Sequence, residues 1–178
     1  MSFLNGSTGW ANRLVDAVFP PRTVYAHCDI PCGIYDPHDA QIAALTVLRM
    51  DQLIGELVPP PMDGKPEDRA QYAGKLARYT AVKEAHAERV KAEVRVIWGD
   101  YFTPEHAKAL PQVHDVTWKI LKQASKARQG NAIAEAQELV KLVQEFSELF
   151  WQSKGAKTRR QPSMQKSGGE IVYPVGPA

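Results

Sequence analysis

The segment HCDIPCGIYDPHD, His27 to Asp39, holds both cysteines of the 178-residue chain. Cys28 and Cys32 stand four positions apart, and His27 directly precedes the first. Thiolates are nucleophiles and soft metal ligands, and imidazole is a common partner for both roles. Two small buried thiols would be the simplest reading, but Pro31, Gly33 and Pro37 make the stretch turn-rich, where burial is hard to arrange. A zinc site would draw on His27, Cys28, Cys32 and His38. Structural zinc is usually held by two separated ligand pairs, whereas three of these donors crowd together and His38 falls in a helix start. A redox dithiol is a third reading, although C-x3-C is not the C-x-x-C spacing of thioredoxin-like sites.

A fourth reading depends on the 26 residues upstream. If the chain is cut between Ala26 and His27, His27 gains a free α-amine beside its imidazole. Cys28 then offers a backbone amide nitrogen and a thiolate, and Cys32 a second thiolate returned by the turn through Ile30-Pro31. Amine, amide and two thiolates can surround one ion in a plane, a geometry of Ni(II) or Cu(II) and not of zinc. Anionic donors of this kind lower the potential of the trivalent state, and an axial imidazole favours it further. Such a site is a one-electron relay.

The elements that must position this segment read as helices. Asp36-Pro37 is a helix start, with Asp as N-cap and Pro at the first helical position. Ile42, Leu45, Leu48, Leu53, Ile54 and Leu57 predict a helix from about Pro37 to Val58, ended by Pro59-Pro60-Pro61. Leu76, Val82, Val90, Val94 and Ile97 predict a second over Pro66 to Trp98. Gly99-Asp100-Tyr101-Phe102 breaks the pattern. Thr103-Pro104-Glu105 starts a third helix carrying Val113, Val116, Ile120, Leu121 and Ala124, irregular at Pro111 and closing near Gly130. A fourth, about Asn131 to Lys154, has Ile133, Leu139, Val140, Val143, Phe146 and Phe150 at helical spacing. The expected class is all-α, an antiparallel four-helix bundle. Trp98 and Phe102 are expected in its core, and His106 and His114 on its surface.

Composition narrows the function classes. The formal charge is +2. Lys157, Arg159, Arg160 and Lys166 against Glu170 make the end of the chain +3 and the remainder −1, so no basic nucleic-acid surface is expected on the main body. Two cysteines build no disulfide framework. No apolar run reaches the roughly 18 residues of a membrane span. Asn12, Arg13, Asp16 and Arg22 interrupt any signal-peptide core, so a cytoplasmic protein without membrane attachment is expected.

HCDIPCGIYDP resembles the nickel-binding hook of nickel-containing superoxide dismutases, whose pattern is close to H-C-D-x-P-C-G-x-Y-D-P. WGDYF at 98–102 and FWQSK near 150 agree with it, and the resemblance covers about His27 to Ala156. It implies a leader over 1–26, removed by a maturation peptidase cutting Ala26-His27. It further implies a hook over 27–36, a helical bundle over 37–156, and a homohexamer. Residues 157–178 exceed the usual family end and read as a basic, flexible tail. The resemblance also implies one nickel ion per chain, cycling between divalent and trivalent states while superoxide is converted to dioxygen and hydrogen peroxide. His27, Cys28 and Cys32 correspond to the ligands. Tyr35 corresponds to a tyrosine that screens the metal, Tyr101 to a second near the site, Asp29 to an acid bracing the hook, and Pro31 to a candidate cis-proline. A nickel or copper binding module without turnover is the alternative. Three positions depart from the pattern. Ala43 and His86 stand where a glutamate and an arginine hold the axial histidine, and Thr103 replaces a lysine, which weakens attraction of an anionic substrate.

Overall fold

A computed structural model of the protein describes residues 33–176. The expected ligands His27, Cys28 and Cys32, with Asp29 and Pro31, lie outside the described residues, as does the 1–26 leader. Five α-helices follow in order: α1 (His38–Gly55), α2 (Pro66–Val96), α3 (Pro104–Ala109), α4 (Val113–Gln129) and α5 (Ile133–Ser153). A hairpin of β1 (Lys157–Pro162) and β2 (Glu170–Val175) closes the chain.

The local signals explain most boundaries. The Asp36 carboxylate accepts the His38 backbone N–H at 2.8 Å, and the N-cap position itself is Pro37, one residue later than expected. Pro66 opens α2 with Glu67 and Asp68 in its first turn, where acids complement the helix dipole. The expected third helix is two helices. It breaks at Leu110-Pro111-Gln112 because proline lacks the N–H that would continue the ladder.

The four long helices pack as a closed ring of neighbours, α1 against α2, α2 against α4, α4 against α5, and α5 back against α1. Val47, Val90, Val94, Val113, Val116, Ile120, Leu139, Val143, Phe146 and Phe150 fill the space between them. All of these but Val47 belong to the 3.6-residue stripes, whereas Leu53, Ile54, Leu57, Leu76 and Val82 of those stripes are only half-buried. Ile133 departs from its stripe and is exposed.

The largest correction concerns residues 157–178, expected as a flexible tail. Lys157 to Val175 instead form an antiparallel hairpin, with Arg159 opposite Tyr173 and Gln161 opposite Ile171. Gly155, at φ 73°, ends α5 in the left-handed conformation that glycine adopts without steric cost. Ile171 and Val172 are buried. The basic residues that suggested a solvated tail are partly engaged: Arg160 donates from Nε and Nη2 to the two oxygens of Glu148, at 2.7 and 3.1 Å.

Candidate functional site

Gly33 is the first described residue and adopts φ 70°, a left-handed turn directly after Cys32. Two residues on, the Tyr35 ring lies 5.7 Å from that of Tyr101, tilted by 52°. The structure thus brings together two of the residues expected at the site, although they are far apart in sequence.

Tyr101 owes its place to an interruption. After Val96 the chain makes a π-helical turn, Ile97–Tyr101, in which the Phe102 N–H reaches back to the Ile97 carbonyl at 3.3 Å. Such wide turns are frequent at functional sites. The Tyr101 hydroxyl lies 2.8 Å from Ser153 Oγ, and Ser153 Oγ lies 2.6 Å from the Phe150 carbonyl. The serine proton is committed to that carbonyl, so Tyr101 donates to the serine. Its ring packs on Phe150 at 4.8 Å and stacks on His106 at 5.2 Å and 19°. The Lys154 ammonium sits 4.9 Å from the Tyr101 centroid and 5.1 Å from that of Phe150, within cation–π range.

His106 was expected only at the surface, and its contact with Tyr101 is new. It completes a capping box: its N–H donates to Thr103 Oγ1, and its Nδ1 accepts the Thr103 N–H at 3.3 Å. The signal was the three-residue spacing from Thr103. His114 is exposed and accepts the Trp98 indole N–H at 2.9 Å. Trp98 is therefore a surface residue, 38% exposed, and not core. Phe102 is half-buried against Phe146.

Ala43 is buried in the core. His86 is half-buried, with Nδ1 2.9 Å from the Val82 carbonyl of its own helix. Neither offers a carboxylate or guanidinium. One turn from each, however, Asp39 and Arg89 form an ion pair at 2.9 Å that ties the start of α1 to α2. Sequence alignment by register does not reveal that pair.

Among the described residues no group of three or more His, Cys, Asp or Glu side chains could hold a metal. The donors fit for nickel are those of His27, Cys28 and Cys32, a soft nitrogen–sulfur set. No helix among the described residues is long and apolar enough to cross a membrane.

A helical body with a tyrosine pair ahead of and behind its first two long helices, preceded in sequence by one histidine and two cysteines, fits the class of helical metalloproteins. A family model described as nickel-containing superoxide dismutase matches residues 22–154. The chain is 34% identical over 144 residues to the nickel superoxide dismutase of Streptomyces coelicolor and 31% to that of Streptomyces seoulensis, spanning 80% of this chain and 100% of each relative. A solved nickel-containing superoxide dismutase, in a partially X-ray-reduced state, superposes with TM-score 0.62 at 30% identity, over 73% of this chain and all of that one. A native structure of such an enzyme gives 0.59 at 31% identity, over 72% of this chain and 99% of that one. The chain belongs to the nickel-containing superoxide dismutase family.

Proposed function

We propose that the mature protein is a nickel-dependent superoxide dismutase, an antiparallel four-helix bundle with an N-terminal metal-binding hook. Two superoxide anions and two protons yield one dioxygen and one hydrogen peroxide. The observation that carries this reading is the contiguous HCDIPCGIYDP inside a family match spanning residues 22–154. His27 would hold the ion through its α-amine and imidazole, Cys28 through its amide nitrogen and thiolate, and Cys32 through its thiolate. Bound nickel supplies a one-electron couple that accepts an electron from one superoxide and returns it to the next.

The remaining residues bind, orient and attract. Asp29 braces the hook. Tyr35 screens the metal and orders small molecules beside it, and its ring is held by Tyr101. The Ser153 bond fixes the Tyr101 hydroxyl proton and leaves its oxygen lone pairs to accept from a neighbour. Lys154 places a positive charge against this cluster, offsetting the lysine replaced by Thr103. Lys154→Met is expected to lower the second-order rate at low salt and to flatten its dependence on ionic strength. A salt dependence equal to that of the unaltered protein would remove Lys154 from the steering role.

Maturation requires a peptidase acting at Ala26-His27, and the assembly proposed is a cytoplasmic homohexamer carrying one nickel per chain. The test is superoxide decay after pulse radiolysis, with nickel content measured alongside. The nickel-loaded protein starting at His27 should accelerate decay, whereas Cys28→Ser and Cys32→Ser should lose both nickel and activity. Tight nickel binding without accelerated decay would favour a binding module.

A further inference from the structure

The hairpin lies beyond the family match, which ends at residue 154. It packs chiefly on α5, through Arg160 on Glu148 and Gln144 on Glu170, and β2 reaches across to the start of α1. Gln41, in the first turn of that helix and 3% exposed, pairs with β2 as another strand would. Its side-chain amide donates to the Val172 carbonyl at 3.1 Å and accepts the Val172 N–H at 2.7 Å. The Tyr173 ring lies 5.9 Å from that of His38, the first residue of the helix. An open cleft of about 280 Å³ is lined by Asp36, His38, Trp151, Val172, Tyr173 and Pro174.

We propose that the hairpin is a positioning clamp for the metal-binding segment, with Tyr173 and the Gln41–Val172 pairing fixing the root from which the donors extend. The proposal rests on the hook reading given above. Helix termini fray because their first N–H groups lack intrahelical partners. Here the fraying end is also the anchor of the ligands. Cys32 and Asp36 are four residues apart, at most about 14 Å of extended chain, so motion at Asp36 and His38 reaches the thiolate with little slack. Tyr101 packs on Tyr35 within the same root, Tyr173 of β2 lies against His38, and Asp36 shares a cleft with β2. A root held at both points keeps the donors converged, and a root held at one lets them separate.

The test follows release of nickel from the mature, loaded protein into excess chelator, together with amide exchange over residues 35–41. Tyr173→Ala should release nickel on the order of tenfold faster, the scale of outer-shell losses at metal sites, while Tyr173→Phe should stay within about twofold of the unaltered protein. Exchange over 35–41 should quicken in the alanine variant and stay unchanged in the middle of α5. A chain ending at Ala156 should move the same way, and Tyr173→Ala decides the matter if that chain does not fold. Unchanged release and exchange in Tyr173→Ala, with only a lowered melting temperature, would overturn the clamp and leave the hook intact. Failure of the unaltered mature protein to take up nickel would overturn the hook reading and the clamp with it.

Discussion

Lys83→Met is expected to remove about 3–5 kcal/mol of folding stability, the cost of leaving a buried charge without its partner. Lys83 and Asp51 are each 1% exposed, and Nζ lies 2.9 Å from Asp51 Oδ1. The same ammonium donates to the Gly130 carbonyl and, at 2.6 Å, to Asn131 Oδ1. One side chain therefore joins α1, α2 and the connection between α4 and α5. Against a typical total of about 5–15 kcal/mol, its loss is a large fraction. The second Asp51 oxygen is buried without a hydrogen-bond partner, so the site is already under-satisfied. For that reason Lys83→Met with Asp51→Leu should recover most of the loss, since an apolar pair of similar volume avoids the desolvation cost. Urea midpoints of the two variants test both statements. A single variant as stable as the parent would mean that the pair is not buried in solution.

Burial raises the Asp51 carboxyl above its ordinary value of 3.8, with the Lys83 hydrogen bond and charge pulling it back. In the window between the ordinary and the raised value, the folded protein binds more protons at this site than the unfolded chain. Stability contributed here therefore falls as pH rises through that window. Subtracting the pH profile of Asp51→Asn from that of the parent should isolate the downward slope.

A chain that keeps residues 1–26 is expected to show no dismutase activity, the second large effect. In that chain the nitrogen of residue 27 is a peptide amide, whose lone pair is delocalised into the carbonyl, so it cannot bind as a neutral amine. The planar set of amine, amide and two thiolates then lacks its first donor. The imidazole and thiolates remain, so weak metal binding persists without the donor set that stabilises a trivalent ion. A chain with a single added glycine before His27 should be equally inactive while melting at the parent temperature. That comparison separates the chemistry of the amine from the bulk of the leader. Activity in the extended chain would remove the α-amine from the site.

What the sequence disclosed and what it withheld divide along physical lines. Helix existence was legible because apolar residues at 3.6-residue spacing have one use, and the turns at Pro59–Pro61 and Gly130 are chemically plain. The split at Pro111 was foreseen as an irregularity, since the missing N–H is a local property. Residues 157–175 were misread because composition speaks of solubility and not of pairing. Their order comes from Gln41, 131 positions from Val172 and beyond any local window, and from Arg160 on Glu148, a pairing made only once the chain turns back at Gly155. Trp98 was misplaced for a related reason: in the π-helical turn Ile97 stays in the core while Trp98, next in the chain, faces outward. His106 and Lys154 join Tyr101 only through the folding of α3 and α5 around it. The donor set lies outside the described residues, and there the contiguous motif is the more informative witness.

The central claim is that removal of residues 1–26 creates a nickel site at His27, Cys28 and Cys32. Native mass spectrometry of the protein purified from its own cells tests it most directly. The expected result is a chain beginning at His27 with one nickel ion per chain, in an assembly of six. A full-length chain from cells with dismutase activity, carrying zinc or no metal, would contradict it.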